Sequence, residues 1–240
     1  MVQALTRRQS AAIRRSFPRL ATDVEADFWH QRWRDRLIGF HQRDINPHLA
    51  TFWSCLQVKP GEQVFVPLSG KSLDMLWLRQ RYAVLGVELS PIAVEEFYRE
   101  NGLVAAQRQQ GAFSVYETDN LCLLCGDYFD LQPAQCQRVA AVYDRAALIA
   151  LPADMRSRYV TQLTALLPAG VSMLLVTLEY DQQQMKGPPF AVEEQEVRDL
   201  FSAHWSIERL HEENILANEP RFRDRGLSRL SEKIYQLRKK

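Results

Sequence analysis

Residues 67–72 (Pro-Leu-Ser-Gly-Lys-Ser) have the composition of a turn that could bind a charged ligand. They follow an apolar run and open a helical stretch, so free backbone N–H groups and the positive end of a helix dipole would meet there. The nucleotide-binding spacing G-x4-G-K-S needs glycine at position 65, where the sequence has Phe65. Hydrolysis of nucleoside triphosphates is therefore disfavoured. The absence of G-x-G-x-x-G also weakens, without excluding, a nicotinamide dinucleotide site.

Two acidic residues follow apolar runs at positions where an α/β sheet could bind a nucleoside. Glu88 ends the second run, 18 residues after Gly70, which suits an acceptor of hydrogen bonds from two ribose hydroxyls. Its alternative role is a charge partner for the N-terminus of the next helix. Asp127, after the third run, could accept a hydrogen bond from an exocyclic amine while Tyr128 lies beside a ring. Gly-Asp is also an ordinary turn sequence, so this second site is less specific.

A charged pair, Asp144 and Arg145, ends the fourth apolar run. The run is rich in Val and Ala, and the carboxyl end of such a strand borders the ligand crevice of an α/β sheet. We therefore predict that the pair faces a ligand. A structural ion pair remains open as the alternative.

Short apolar runs alternate with amphipathic stretches along the chain, a pattern typical of a βαβ sheet. Five strands are predicted at 63–67, 82–88, 121–126, 138–143 and 171–178. The helices are predicted at 71–80, 91–101, 154–167 and 192–201, the first of them burying Leu73, Leu76 and Trp77. Strands at 205–212 and 233–237 have no helix between them and predict an antiparallel pair. The predicted fold class is α/β, with a seven-stranded, mostly parallel Rossmann-like sheet.

Aromatic residues are concentrated at 28–55, ahead of the sheet. They could fill the core, or they could fold across the strand ends as a lid. We predict an N-terminal helical lid at 24–58 within one domain of residues 24–240, with a permanently packed helix as the alternative. Residues 1–23 contain five arginines and are expected to form a mobile arm, with a targeting segment or a misassigned start as alternatives.

The overall charge is nearly balanced, with 30 Lys and Arg against 29 Asp and Glu. We therefore predict no nucleic-acid partner, and the strand-sized apolar runs predict no membrane span. Four cysteines are too few for a disulfide scaffold and favour a reducing compartment. Cys122 and Cys125 are interpreted as buried strand residues rather than as a zinc or redox site. The expected protein is a cytoplasmic monomer without a metal site.

A series of motifs, in order along residues 27–238, closely resembles the thiopurine S-methyltransferase family. The motifs are FWHQRW at 28–33, IGFHQ at 38–42, VPLSGKSLDM at 66–75, GVELS at 86–90, YDRAAL at 143–148, TLEYD at 177–181 and GPPF at 187–190. Arg221, within PRFR at 220–223, matches a further arginine of the family. The resemblance implies a class I methyltransferase sheet that holds S-adenosylmethionine as its methyl donor.

The resemblance also implies roles for individual residues. Contacts with the donor are implied for Trp33, Leu68, Glu88 and Arg145, for the turn residues Ser69 and Gly70, and, near the adenine, for Asp127 and Tyr128. Phe40 would border donor and acceptor, and Arg221 would join Arg145 at the acceptor. Many members of the family have cysteine where this chain has Ser69, so no role that needs a thiol is inferred there.

The implied activity is methyl transfer to the sulfur of aromatic or heterocyclic thiols such as thiopurines. A thiolate would attack the sulfonium methyl in line, and S-adenosylhomocysteine would leave. Heteroaromatic thiols are more acidic than an alkyl thiol, so no general base is required. Arg145 and Arg221 are predicted to favour and orient this small anionic acceptor. The alternatives are methylation of selenium or tellurium species or of halide or thiocyanate ions, and a donor-binding protein without turnover.

Overall fold

The computed structural model of the protein describes residues 22–240, with side chains from residue 26 onward. It comprises two units, one ending at Leu37 and the other running from Ile38 to Lys240. The described part of the first unit contains helix α1 (Thr22–Arg34), where Gln31 donates a hydrogen bond to the Asp35 carboxylate across 2.7 Å. Most of the predicted arm lies outside the described residues. The domain boundary at 23 and the lid therefore stay predictions.

The second unit is built on one nine-stranded sheet. Its strands are β1 (Gln63–Val66), β2 (Ala83–Glu88), β3 (Ala106–Gln110), β4 (Phe113–Thr118), β5 (Leu121–Cys125), β6 (Val139–Arg145), β7 (Ser172–Glu179), β8 (Trp205–Asn214) and β9 (Ser231–Lys239). They lie in the order β3-β4-β5-β2-β1-β6-β7-β9-β8. The five central strands in this order are parallel, namely β5, β2, β1, β6 and β7. At one side of them, β9 and β8 are added in antiparallel pairing.

The predicted α/β class, the parallel centre and the antiparallel C-terminal pair are confirmed, but the predicted count of seven strands is wrong. The additional strands are β3 and β4, a hairpin that pairs with β5 at the edge of the sheet. β3 reads Ala-Gln-Arg-Gln-Gln and is exposed throughout, so it has no apolar alternation to reveal it. Its polar side chains also suit an edge strand. The hairpin turns at Gly111, which has a φ of +61° that glycine adopts readily.

Short helices connect the strands. They are α2 (Pro47–Phe52), α3 (Asp74–Leu78), α4 (Pro91–Glu100), α5 (Pro133–Cys136), α6 (Ala153–Leu166), α7 (Glu194–Phe201) and α8 (Pro220–Arg223). None of the helices described for residues 22–240 is long and apolar enough to cross a membrane.

The buried face predicted for the first connecting helix is wrong. Helix α3 begins only at Asp74, because the preceding residues form tight turns in which the Ser72 N–H donates to the Ser69 carbonyl across 3.2 Å. The shift fully buries Asp74, Met75 and Leu78, whereas the predicted Leu76 and Trp77 are only partly buried against the same cluster. It therefore brings an acidic side chain into the interior beside the sheet.

Hydrophobic clusters cover both faces of the sheet, since successive strand residues point to opposite sides. In β1, Phe65 belongs to one cluster, whereas Val64 and Val66 belong to the other. Full burial of one such side chain contributes about 1.5–3 kcal/mol. The clusters hold the parallel strands in register, so their carboxyl ends meet at one edge of the sheet.

Candidate active site

The turn after β1 is fixed to the neighbouring strand. The Ser69 N–H donates to the Val87 carbonyl of β2 across 2.9 Å. Leu68 and Gly70 both have positive φ angles, +44° and +54°. Such a conformation is costly for leucine, and backbone strain of this kind concentrates at functional sites. The chain is thereby turned so that its backbone faces the end of β2.

Glu88, at the end of β2, receives backbone hydrogen bonds on both oxygens. Oε2 accepts from the Gly70 N–H and Oε1 from the Ser90 N–H, each across 2.8 Å. Burial raises the pKa of Glu88 to about 7, although these backbone N–H groups favour the ionised form. Each carboxylate oxygen keeps a further lone pair. The group can therefore still accept hydrogen bonds from a diol.

The Lys71 ammonium is held by two other carboxylates. Its Nζ lies 2.8 Å from Glu96 and 2.9 Å from Glu100, both on α4. Burial lowers the pKa of Lys71, but the hydrogen bonds from both acids outweigh it and raise the pKa overall. Lys71 thus anchors α4 rather than serving as a phosphate ligand, in keeping with the broken nucleotide spacing.

The segment after β5 separates into a polar turn and a buried ring. Asp127 Oδ1 accepts a hydrogen bond from the Phe129 N–H across 2.9 Å, and no hydrogen bond to Oδ2 occurs within residues 22–240. The side chain of Tyr128 is only 2% exposed, and its hydroxyl donates to the Tyr159 carbonyl across 3.2 Å. The Asp127 carboxylate is therefore available to a ligand. The Tyr128 ring packs in the core, so only its backbone is free to lie near an adenine.

Asp144 and Arg145 do not form a pair, because adjacent strand residues point to opposite faces. Asp144 is fully buried and accepts hydrogen bonds from the Tyr159 hydroxyl across 2.7 Å and from the Leu148 N–H across 3.1 Å. Burial raises the pKa of Asp144 to about 6. The prediction that it faces a ligand is thus wrong. Asp144 holds the turn after β6 from within the core.

Arg145 is instead paired with Asp74, which was not among the predicted site residues. The Arg145 Nε lies 3.0 Å from Asp74 Oδ2. Two further donors reach the same carboxylate, the Tyr143 hydroxyl across 3.1 Å and the Asn46 N–H across 2.8 Å. One signal for Asp74 was present in the sequence, namely a lone acid in an otherwise apolar run, LDMLWL. Asn46 had another, since asparagine before proline is typical of a helix N-cap.

A cleft of about 760 Å³ lies between two loop segments of the second unit. It is lined by His41, Gln42, Arg43, Asp44, Ile45, Pro47, Glu219, Pro220 and Arg221. The Arg221 Nε lies 2.9 Å from Glu219, and one terminal nitrogen of Arg221 donates to the Gly39 carbonyl. Burial lowers the pKa of His41, as do the charges of Lys71 and Arg145.

Two predicted residues flank this region in sequence. Phe40 is half-buried and follows Gly39 directly. Trp33 lies on α1, in the first unit. Their contacts with donor and acceptor stay predictions.

Two buried hydroxyls next to Glu88 lack partners. Among the described residues, the Ser69 and Ser90 hydroxyl oxygens are buried without a hydrogen bond. Buried polar atoms are rarely left unpaired, so such atoms indicate a missing ligand or water. Gly86 permits this close packing, because a Cβ at this position would lie 2.4 Å from Leu123 Cδ2 and 3.1 Å from Ser69 Oγ. The turn, Glu88 and these hydroxyls together fit a ribose and its attached chain.

Three of the four cysteines have the properties of packing residues, whereas Cys55 is exposed. Burial raises the pKa of Cys122, Cys125 and Cys136 to about 11, which disfavours their thiolates. Within the part of the chain that the structure describes, no group of His, Cys, Asp or Glu is arranged to hold a metal.

The strand order, the turn after β1 and the acid that ends β2 define a Rossmann-like methyltransferase. Solved structures agree on the fold. A Burkholderia thailandensis 1,6-didemethyltoxoflavin-N1-methyltransferase with bound S-adenosylhomocysteine matches with a TM-score of 0.60 and 16% identity over 100% of this chain and 92% of that chain. An arsenic(III) S-adenosylmethionine methyltransferase from Chlamydomonas reinhardtii matches with a TM-score of 0.53 and 17% identity, over 76% of this chain and 66% of that chain.

Sequence relatives define the family. The model of the family Thiopurine S-methyltransferase (TPMT) matches residues 24–240. A thiopurine S-methyltransferase of Methylococcus capsulatus is 52% identical over 217 residues, which cover 90% of this chain and 98% of the relative. A thiopurine S-methyltransferase of Pseudomonas putida KT2440 is 50% identical over 215 residues, which cover 89% of this chain and 99% of the relative. The chain belongs to the thiopurine S-methyltransferase family, and it is an enzyme whose methyl donor is S-adenosylmethionine.

Proposed function

We propose that this enzyme transfers the methyl group of S-adenosylmethionine to the sulfur of aromatic or heterocyclic thiols, thiopurines among them. The names of its relatives support the thiol acceptor. The observation that carries the proposal is the hydrogen bonding of the Arg145 guanidinium. Only its Nε has a hydrogen-bond partner within residues 22–240, so the terminal nitrogens are available to an anion.

The donor would be held by the residues around Glu88. The carboxylate would accept the ribose hydroxyls, the hydroxyls of Ser69 and Ser90 would gain partners, and Asp127 Oδ2 would accept from the adenine amine. The backbone turn at Leu68 would hold the methionine end. When bound, S-adenosylmethionine supplies a methyl group on a positively charged sulfur, which a thiolate can displace in line.

The acceptor would be oriented by two guanidinium groups. Arg221 borders the cleft, and Arg145 pairs with Asp74, which also accepts a hydrogen bond from Asn46 at the end of the loop that lines the cleft. Hydrogen bonds from arginine favour the thiolate over the neutral thiol, and a charge-assisted hydrogen bond contributes about 1.5–3 kcal/mol. Aromatic thiols already ionise near neutral pH. These residues therefore need only hold the anion in line and exclude water, a positioning effect worth up to about 7–11 kcal/mol.

An acceptor screen tests the proposal directly. Purified protein is given S-adenosylmethionine with a labelled methyl group, together with a thiopurine, thiophenol, iodide or selenite in separate reactions. We expect the two aromatic thiols to have the highest kcat/KM, by at least about tenfold. A higher kcat/KM for iodide or selenite would show that the preferred acceptor is a halide or a selenium species and not an aromatic thiol. Binding of the donor without transfer to any of the four would indicate a protein without turnover.

The arginine roles are tested by substitution. Arg145→Ala and Arg221→Ala should each lower kcat/KM for the thiolate about tenfold, since one charge-assisted contact of about 1.5 kcal/mol is lost. Arg138→Ala, ahead of the other end of β6, and Arg223→Ala, on α8 with Arg221, remove the same charge away from the site. If both site variants stay within about twofold of their controls, the arginines do not orient the acceptor.

We further propose that the enzyme acts in the cytoplasm as a monomer, without a nucleic-acid partner. The balanced charge and the unpaired cysteines support this setting. Sedimentation velocity at micromolar concentrations should give a single species near 27.8 kDa. A species of twice that mass would contradict it.

The segment 24–58 is proposed to be a lid that excludes water during transfer, with Trp29, Trp33 and Phe40 as its aromatic surface. The concentration of aromatic residues supports this role. Hydrogen exchange with and without S-adenosylhomocysteine tests it. The absence of added protection at residues 24–45 would exclude a lid.

A further inference from the structure

We propose that Asp74 is a positioning residue for methyl transfer. It would fix the guanidinium of Arg145 and connect this group to the loop that lines the acceptor cleft. The proposal rests on the function proposed above, because Arg145 is taken to contact the acceptor.

Asp74 gathers three donors from two separate parts of the chain, strand β6 and the loop ahead of α2. Its side chain is only 1% exposed and lies at the start of α3. Oδ2 accepts from the Arg145 Nε of β6 across 3.0 Å and from the Tyr143 hydroxyl across 3.1 Å. Oδ1 accepts from the Asn46 N–H ahead of α2 across 2.8 Å. A carboxylate offers about four lone-pair sites, so three donors nearly saturate it.

The Tyr143 hydroxyl strengthens this arrangement. Burial and the neighbouring Asp74 carboxylate raise the pKa of Tyr143 well above its usual value, so the hydroxyl keeps its proton and donates. Tyr143 and Arg145 lie two residues apart in β6 and therefore share a face of the sheet. Asp74 thus receives a neutral donor and a cation on one oxygen from a single rigid strand.

The position of the hydrogen bond on Arg145 determines which guanidinium nitrogens remain available to an anionic acceptor. The side chain of Arg145 is 13% exposed, so its charge is largely removed from water and needs an anionic partner. Asp74 contacts Nε alone and leaves the four N–H groups of the terminal nitrogens free for another anion. A carboxylate bound to the terminal nitrogens would have occupied them. Asp74 therefore neutralises and orients Arg145 without competing with the acceptor.

The loop at 39–46 is tied at both ends to the proposed acceptor site. At its start, the Gly39 carbonyl accepts from Arg221. At its end, Asn46 donates to Asp74, and its own Oδ1 caps α2 by accepting from the His48 N–H across 2.9 Å. Residues 41–45, between these two ends, line the cleft. Asp74 thereby holds Arg145 and one wall of the cleft in a fixed relation.

Asp144 provides a matched control within the same strand region. It is as buried as Asp74 and accepts a tyrosine hydroxyl and a backbone N–H, but its hydrogen bonds include no arginine among the described residues. An Asp→Asn change at either position therefore removes a buried charge. Only the change at Asp74 removes the carboxylate charge that pairs with Arg145.

A double-mutant cycle separates positioning from simple support of the fold. Asp74→Asn and Asp144→Asn are each measured in the wild-type protein and in an Arg145→Met background, after thermal denaturation has shown that each variant is folded. Two quantities are followed: kcat/KM for thiophenolate, and the Kd of thiophenolate with S-adenosylhomocysteine bound. Asp74→Glu, which keeps the carboxylate, is carried as a second variant in case Asp74→Asn does not fold.

We expect Asp74→Asn to lower kcat/KM and weaken thiophenolate binding about tenfold in the wild type, but less than about twofold in the Arg145→Met background. Asp74→Glu should retain a higher kcat/KM and a lower thiophenolate Kd than Asp74→Asn. If Asp74→Asn does not fold, Asp74→Glu should instead have a higher kcat/KM and a lower thiophenolate Kd than Arg145→Met. Asp144→Asn should have the same effect in both backgrounds. Equal losses for Asp74→Asn in both backgrounds, or no loss in Arg145→Met itself, would overturn the proposal while thiol methylation stands. If the wild-type protein methylates no thiol, the proposed function fails, and the Kd measurements alone then decide the role of Asp74.

Discussion

Binding of the methyl donor should depend on pH through Glu88. This carboxyl is buried, and its pKa is raised to about 7. In the proposed donor site, the ionised form would accept two ribose hydroxyls, whereas the protonated form would have lost one acceptor site to its own proton. A change from pH 8 to pH 6 should therefore deplete the form of Glu88 that is proposed to bind the donor, without any substitution in the protein.

The magnitude follows from the pKa. With a value of about 7, roughly 90% of Glu88 is ionised at pH 8 and roughly 10% at pH 6. The apparent Kd scales inversely with the competent fraction, so affinity should fall about tenfold, or about 1.4 kcal/mol. Because the ligand selects the ionised form, binding at pH 7 should release about half a proton. An ordinary glutamate, with a pKa near 4.3, would show neither effect in this range.

Titration calorimetry with S-adenosylhomocysteine at pH 6, 7 and 8 measures both quantities. Repetition in two buffers of different ionisation enthalpy gives the number of protons released. The variant His41→Gln serves as a control, because His41 is a nearby group that also titrates, with its pKa lowered by burial and by the charge of Lys71. The tenfold effect should persist in this variant. A Kd constant within about twofold from pH 6 to pH 8, without proton release, would refute the argument.

Three further predictions concern the surroundings of the site. Lys71→Gln should leave the Kd of S-adenosylhomocysteine within about twofold by calorimetry, because Glu96 already holds the ammonium, and a tenfold loss would contradict this. The hydrogen bond with Glu232 raises the pKa of His48 despite opposing burial, so protonated His48 stabilises the fold at low pH and this contribution is lost as pH rises through the raised pKa. In urea denaturation, Glu232→Gln should therefore cost more free energy of unfolding at pH 5.5 than at pH 8.5, and equal costs would contradict it. Iodoacetamide at pH 8 should modify the exposed Cys55 rapidly and the other three cysteines slowly, as mass spectrometry would show, whereas four equal rates would not fit their burial.

The helices and strands with strong periodic patterns were predictable from the chain. The spacing of the β1 turn and Glu88 was also informative, since an acid 18 residues after Gly70 does meet the turn backbone. Phe65 breaks the spacing of a phosphate loop, and Lys71 is held by α4. The β3–β4 hairpin was missed because an exposed edge strand needs no apolar alternation. Local pattern failed there because packing on the core does not constrain that strand.

Local pattern in the chain was enough for the fold class, the family and the placing of Glu88, because periodicity and short motifs depend on neighbours in sequence. The tertiary structure alone decided the partner of Arg145. Asp144 is adjacent in sequence but points to the other face, whereas Asp74 is 71 residues away and meets the guanidinium. This pairing depends on where α3 begins and on the pairing of β1 with β6. Such a contact between distant segments forms only when the packed sheet brings their ends together.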